Sequence, residues 1–362
     1  MKTITPIAVA VLGCGRMGRS VLTTLSTLDR VERLFGFDPD PASLEESKKI
    51  DRVEPVADLE SIWGNPAIKL VFITAPNHSH KDLAIAALRA GKAVMLEKPI
   101  ALTMEDSAEV VKVAQEEQAF LQIGFELRYS TLYTQVKEWI DEGKIGQVIN
   151  IHSNYICSEF HGKHSWRGRN DSGGSMMGEK LSHYLDLPRW WTGDEVKEVY
   201  GASAPNVVPY FEVHDNYHLI YRFTGGAVGH LTFMMAVAET FHGDPLENPV
   251  SQQAEDGHEL RFLITGTKGA IATDVFRRTL RRWKFGDSPD RLTSQIVERK
   301  TWTPEDDHTW FHNTTDQAID IVHRVSEGRG PLTLPQDSLE TMRLVTAAEE
   351  SVDQGRIISL LG

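Results

Sequence analysis

The chain has 362 residues, 41% of them hydrophobic and 25% charged; that length exceeds one comfortable core, so two domains are expected, and the composition is that of an ordinary globular protein and gives no argument for disorder. A net charge of −13 argues against nucleic acid or an anionic membrane as the main partner, because either requires a concentrated basic face. Two cysteines, Cys14 and Cys157, are too few for a disulfide framework and fit a reducing cytoplasm.

The first apolar run, 7–12, is too short for a secretion-signal core with its cleavage region and reads as a buried strand. No run approaches the ~18 apolar residues of a membrane span. The strand breaks into Gly13-Cys14-Gly15-Arg16-Met17-Gly18, a G-x-G-x-x-G turn that opens a helix. Gly13 permits the tight turn, Gly15 lets a pyrophosphate approach the backbone, and Gly18 lets helix and strand pack closely. The helix N-terminus adds free N–H groups and partial positive charge. Val21, Leu22, Leu25 and Leu28 give that helix one apolar face. A second strand over 34–37 ends at Asp38, 20 residues after Gly18, where a carboxylate can accept hydrogen bonds from the adenosine ribose and repel a 2′-phosphate. No arginine follows in Pro39-Asp40-Pro41, so NAD is favoured over NADP. The alternative role for Asp38 is to cap a helix starting at Pro41.

Strands at 70–74, 93–96 and 120–123 alternate with helices at 81–90 and 104–118, which predicts a doubly wound parallel sheet with ligands at the carboxyl ends of its strands. Two such ends carry Ala75-Pro76-Asn77-His78-Ser79-His80 and Glu97-Lys98-Pro99. Past Phe125 the pattern changes. A helix over 132–142, a strand over 148–157, a polar aromatic loop over 158–175 and a helix over 176–191 precede strands at 196–202, 217–223, 227–234, 259–265, 280–285 and 294–299. Successive strands joined by turns predict a second, α+β domain with a large, mostly antiparallel sheet. The organisation expected is therefore 1–124 for nucleotide binding and 125–362 for substrate binding and oligomerisation. The stretch 238–257 is polar, acidic and aperiodic, as functional or assembly loops are. Arg277, Arg278, Arg281 and Arg282 are expected on a solvated surface. Helices at 307–326 and 338–353 close the chain.

Lys98 follows a buried strand and is held by Pro99; near low-dielectric surroundings and a cationic cofactor ring, its ammonium is suited to proton transfer, while a surface lysine beside a turn proline is the plain alternative. Glu179, His183 and Asp186 are spaced to share one helical face, which can orient an imidazole in one tautomer or simply form surface pairs. The spacings His78/His80, His161/His164, His214/His218 and His308/His312 suit chelation but lack companion ligands, so no metal is expected. Trp166, Trp190, Trp191, Trp302 and Trp310 either stack on a sugar or fill cores.

Taken together, the glycine loop, Asp38, Ala75-Pro76-Asn77 with His80, Glu97-Lys98-Pro99, Gly124-Phe125 with Arg128, and Gly173-Gly174 leading to His183-x-x-Asp186 resemble the Gfo/Idh/MocA oxidoreductases over nearly the whole chain. The resemblance implies an N-terminal Rossmann domain, a second domain on a large open sheet that commonly forms the oligomer interface, and pyridine-nucleotide redox chemistry on sugars, cyclitols or related polyols. It makes Lys98 the catalytic lysine and His183 the acid/base histidine, oriented by Glu179. It assigns cofactor contacts to Gly13, Cys14, Gly15, Arg16, Met17, Gly18, Asp38, Ala75, Asn77, His80, Glu97, Lys98, Trp166 and Arg167. Substrate contacts are expected from Lys98, Glu126, Arg128, Tyr155, His161, Trp166, Glu179 and His183. Two departures stand beside that substrate: Glu179, with Lys180-Leu181 after it, replaces the usual Asp and small residues, and Glu126 replaces a frequent Asn. Substrate identity is therefore not inherited from the best-known members. The expected activity is NAD-dependent oxidation of a secondary hydroxyl of a sugar, glycoside or cyclitol by a homo-oligomer. The alternatives are a glycosidase working through transient oxidation and elimination, and a non-catalytic sugar or nucleotide sensor.

Overall fold

A computed structural model describes residues 5–240 and 256–361. The central part of the acidic 238–257 stretch and the His308 side chain lie outside the described residues. By contacts the chain divides into two compact units: Met1–Glu126, Asp171–Gly174 and Thr314–Met342 form one, and Leu127–Asn170, Ser175–Asn313 and Arg343–Gly362 the other.

The first unit opens with β1 (Ile7–Leu12), α1 (Arg16–Ser26), β2 (Val31–Phe37), α2 (Pro41–Ser47), β3 (Val53–Pro55), α3 (Glu60–Trp63) and β4 (Ile68–Ile73). It continues with α4 (His80–Arg89), β5 (Ala93–Leu96), α5 (Met104–Glu116) and β6 (Leu121–Ile123). The strands make one parallel sheet in the order β3-β2-β1-β4-β5-β6. All six residues of β1 are buried, as expected of a central strand covered on both faces, and each fully buried aliphatic contributes roughly 1.5–3 kcal/mol. The order reverses between β1 and β4, and ligands of such sheets sit outside the carboxyl ends at that point. The three-residue β3 and four-residue α3 are too short to leave a periodic signal in the sequence.

The second unit carries α6 (Thr131–Asp141), β7 (Val148–Ile156), a π-turn over Met177–Leu181, α7 (Ser182–Thr192), β8 (Val196–Ala202), β9 (Asn216–Phe223) and β10 (Val228–Met234). After these come β11 (Glu259–Gly266), β12 (Gly269–Asp274), β13 (Thr279–Asp287) and β14 (Leu292–Thr301). The chain then runs through α8 (Asp307–Trp310), α9 (Thr314–Glu327), α10 (Pro335–Gln354) and β15 (Ile358–Ser359). Among the described residues the sheet has nine strands in the order β14-β13-β12-β11-β7-β10-β9-β8-β15, antiparallel except where β10 pairs with β7. On its covered face, Tyr133 of α6, Trp191 of α7 and Phe262 of β11 meet with ring centroids 4.9–5.9 Å apart.

Several sequence expectations change here. The single helix at 307–326 is two, because the chain breaks after Trp310, where Ser130 Oγ donates to the Trp310 carbonyl and Asn313 Nδ2 donates to Tyr129 O at 3.0 Å. Its second part, α9, packs Ala318, Ile321 and Val322 against Val9, Leu22 and Phe72 in the core of the parallel sheet. The strand β12 escaped notice because four of its last five residues are buried, so it shows no alternation. Arg278 and Arg282 are not solvated: each is 9% exposed, and Arg282 Nε donates to Glu298 at 3.1 Å. The helix expected from 176 begins instead as a π-turn, with Ser182 Oγ donating to Gly178 O at 2.7 Å. Among the described residues no helix is long and apolar enough to cross a membrane.

Candidate functional site

In the first unit the predicted residues gather at the carboxyl ends of the strands. Gly13 has φ +96°, and a Cβ there would lie 2.7 Å from Ala75 N, so the turn after β1 is pressed against the turn after β4. A Cβ on Gly18 would fall 1.8 Å from Gly13 O, whereas one on Gly15 meets nothing within 4 Å. The first and third glycines serve the protein's own packing; the second faces open space. Side chains cap α2, α5 and α6 through Asp40, Thr103 and Ser130, but none caps α1 at Gly15. An uncapped helix start beside a bare glycine suits a pyrophosphate. Arg16 is exposed and Met17 half-buried at that start, while Cys14 is buried, and burial pushes its thiol up to about 11.

The Asp38 carboxylate accepts from Cys14 N at 2.7 Å and from Asp40 N at 2.9 Å. Asp40, not Asp38, caps α2, which leaves Asp38 as part of the glycine-loop structure. Two residues that the motif reading passed over stiffen this loop: Thr74 Oγ1 donates to Gly13 O at 2.7 Å, and Arg19 donates to Cys14 O at 2.9 Å. They lie 61 and 5 residues from their acceptors, and no spacing rule singles them out.

His80 is 1% exposed, with Nδ1 2.7 Å from Pro99 O and Nε2 2.9 Å from Ala75 O. It therefore joins the turn after β4 to the Lys98-Pro99 segment. Burial lowers its pKa to about 4, so the ring is neutral and donates through one nitrogen only. Asn77 is buried and its Nδ2 donates to Gly173 O at 2.9 Å, within the same unit. Glu97 and Lys98 are half-buried. Gly124 leaves room for the Glu97 carboxylate, since a Cβ there would stand 2.9 Å from Glu97 Oε2. Glu126, at the end of this unit, is 5% exposed.

In the second unit, Arg128 Nε and Nη2 each lie 2.7 Å from an oxygen of Asp186, and both side chains are buried. Glu179 sits in the π-turn, and its Oε1 accepts from Arg167 Nε at 2.7 Å while Oε2 lies 3.8 Å from His161 Nε2. The wider i→i+5 turn means that the simple i, i+4 face expected for Glu179 and His183 does not describe this segment. His161 is held neutral at about 4, chiefly by burial, against the pull of Glu179. Tyr155 is buried, and its hydroxyl is raised well above the usual range by burial first and by Cys157 and Glu179 next. The Trp166 ring carries the Arg167 guanidinium 4.4 Å from its centroid, and Lys180 Nζ stands 5.5 Å from Tyr155 and 5.2 Å from Phe160. His183 is 2% exposed, with the His312 ring 6.4 Å away. His312 is 129 residues downstream of His183 and reaches it because 310–313 is tied to 129–130; nothing in the sequence points to the pairing. Among the described residues no three His, Cys, Asp or Glu side chains are arranged to hold a metal ion.

Comparison with known proteins agrees with this geometry. Residues 7–125 match the model of an oxidoreductase family with an NAD-binding Rossmann fold, and residues 133–272 match the GFO/IDH/MocA C-terminal domain. The 1-carboxy-3-chloro-3,4-dihydroxycyclohexa-1,5-diene dehydrogenase of Comamonas testosteroni is 33% identical over 193 residues, 53% of this chain and about half, 49%, of that relative. The inositol 2-dehydrogenase of Rhizobium meliloti is 26% identical over 96% of this chain and 98% of its own length. A solved levoglucosan dehydrogenase, in complex with NADH and levoglucosan, superposes with a TM-score of 0.80 at 22% identity, covering 99% of this chain and 100% of that one. The glycine cradle, the uncapped helix and the two matched domain models make this chain a member of the GFO/IDH/MocA oxidoreductase family, with an NAD-binding Rossmann domain at its N-terminal end.

Proposed function

We propose that the chain is an NAD-dependent dehydrogenase acting on a secondary hydroxyl of a sugar, glycoside or cyclitol. Relatives named for inositol and levoglucosan support a ring polyol as the substrate class. The observation that carries the reading is the concentration of proton-handling side chains in the second unit, with His161, Glu179 and His183 nearly or fully buried and Arg167 on the Glu179 carboxylate. Buried ionisable groups cost stability and are kept where chemistry uses them.

NAD, when bound, supplies the hydride acceptor. His183 is the base that takes the hydroxyl proton on an imidazole nitrogen, and Lys98 Nζ is the second proton-handling group. Glu179, anchored by Arg167, positions substrate hydroxyls, with Tyr155 and His161 as neutral neighbours. Arg128 acts through Asp186 to hold α7 and with it His183. Asp38, Gly15 and the start of α1 hold the cofactor, and Glu97, Asn77 and Trp166-Arg167 complete its contacts. The fully buried Cys14 and Cys157 thiols suit a reducing cytoplasm. The outward row Tyr200, Ile220 and Leu263, 42–54% exposed on the open sheet, supports assembly into a homo-oligomer, which sedimentation will measure.

Purified protein incubated with NAD and a panel of sugars, glycosides and inositols is expected to produce NADH with at least one of them. Failure with every compound, under conditions where NAD binds, overturns the dehydrogenase reading. Release of an aglycone without net NADH would replace it with the elimination route.

A further inference from the structure

Two loops of the second unit, residues 158–170 and 207–213, flank a half-open pocket of about 190 Å³ lined by Lys163, His164, Arg169, Tyr210, Phe211 and Glu212. Pockets for whole drug-sized ligands start at about 300 Å³, so this one holds a single ring with its substituents. The loops are cross-tied around it. The Glu159 carboxylate accepts from the N–H groups of His161 and Gly162 at 2.6 and 2.9 Å and from Tyr210 Oη at 2.8 Å. Glu212 N donates to Gly168 O at 2.9 Å, and Glu212 Oε2 accepts from Asn170 N at 3.1 Å. At Gly168 a Cβ would stand 2.8 Å from the Phe211 ring, so that ring lies on bare backbone. Such a wall needs little ordering when a ligand enters.

The ionised groups around the cavity are two cations, Lys163 and Arg169, and two carboxylates, Glu159 and Glu212, and they are not paired one to one. Arg169 is matched by Glu212 at 3.9 Å. Lys163 Nζ lies 5.7 Å from the Tyr210 ring centroid and has no carboxylate partner among the described residues, and His164 adds a further hydrogen-bonding ring. Lys163, whose ammonium stands over the Tyr210 ring, is therefore the cation left to meet an incoming anion. Phe211 also joins the cavity to the buried acid, because its ring is 6.3 Å from His161, whose Nε2 is 3.8 Å from Glu179.

We propose that this cavity is an accessory subsite for an anionic sugar ring, bearing a carboxylate or a phosphate, that is glycosidically joined to the ring lying against Glu179. The inference rests on the dehydrogenase reading above and extends it to the substrate's second ring. Tyr210 and Phe211 supply the apolar faces a pyranose packs on, and Lys163 takes the anionic oxygens.

The test is calorimetric titration of the NAD-saturated full chain with methyl glucuronide, glucose 6-phosphate and methyl glucoside. At least one anionic probe is expected to bind about tenfold more tightly than the neutral glucoside, the loss of a charge-assisted hydrogen bond being of that order. Lys163→Ala removes the difference and Lys163→Arg retains it, while the KM for a neutral single-ring substrate stays unchanged. Tighter binding of the glucuronide identifies a uronic acid, and tighter binding of the phosphate identifies a sugar phosphate. Equal binding of neutral and anionic probes, or anion binding indifferent to Lys163→Ala, overturns the proposal. Lys163-dependent anion binding without NADH from any sugar would leave the subsite standing and sink the dehydrogenase reading. NADH from single-ring sugars with Lys163-independent binding would do the reverse.

Discussion

The backbone N–H of Cys14 donates to Asp38 Oδ2 at 2.7 Å, so the glycine loop and the acid that ends β2 are one hydrogen-bonded unit. Asp38 thereby has two jobs, fixing the turn and presenting negative charge where an adenosine ribose is bound in such folds. Asp38→Ala removes both. The KM for NAD is expected to rise about tenfold and the preference for NAD over NADP to narrow. Steady-state kinetics with both cofactors will check this, and an unchanged ratio would remove Asp38 from cofactor choice.

The glycines separate packing from binding. Gly18→Ala places a methyl against Gly13 O and is expected to cost about 1–3 kcal/mol, visible as a lowered thermal midpoint. Gly15→Ala meets no protein atom, so its midpoint stays that of the parent while NAD affinity falls. Equal midpoints for the two variants would contradict this division.

The Arg128–Asp186 pair is buried at 6% and 1% side-chain exposure. Removing one member strands the other charge, and Arg128→Met is expected to cost about 3–5 kcal/mol. The double change Arg128→Met with Asp186→Leu costs less than either single change. Denaturant titration of the three variants measures the cycle.

Glu349 gives a pH signature. Its carboxylate accepts from Tyr217 Oη at 2.9 Å, and its Oε2 is buried without a hydrogen-bond partner among the described residues. Burial raises its pKa from 4.5 to about 7. The folded state then binds a proton more tightly than the unfolded chain, so the contribution of this one group to stability is fully present below pH 4.5, falls as pH climbs to about 7, and is flat above. The loss attributable to this group is up to about 3 kcal/mol. Glu349→Gln is expected to remove that slope and to stabilise the protein at pH 8. A parent slope retained in the variant would exclude Glu349 as its source.

Lys98→Ala and His183→Ala are expected to lower kcat by roughly 10²–10⁴-fold, the usual contribution of a positioned acid or base, with NAD binding preserved. Fluorescence titration with NADH alongside turnover separates the two effects. Loss of NADH binding in both variants would reassign them to the cofactor.

Much of the parallel sheet was legible because a strand, a turn and a helix encode themselves locally. Residues 7–12 are uniformly apolar, the glycines follow at once, and Val21, Leu22 and Leu25 repeat at helical spacing. The strand β8 was read at 196–202, where it lies, although its register shifts between Val196 and Glu198. By contrast β12 is buried on both sides, and the π-turn at Met177–Leu181 has no compositional mark. The family pattern drew attention to Arg128, His161, Arg167, Glu179, His183 and Asp186 but not to which of them pair. Helical spacing suggested that Asp186 and Glu179 flank the histidine, whereas the described bonds take Asp186 to Arg128 and Glu179 to Arg167.

The sequence by itself determined the glycine turn and its acid, since Gly13, Gly15, Gly18 and Asp38 belong to one β-α-β unit whose strand, turn and helix are encoded locally. Tertiary structure decided which side chains meet in the second unit and which helix completes the first. Arg128 finds Asp186 58 residues away, His312 finds His183 129 residues away, and α9 returns after nearly two hundred residues to cover Val9 and Phe72. The physical reason is that a carboxylate or an apolar helix face is satisfied equally well by many partners, and only the folded chain brings one of them within bonding distance.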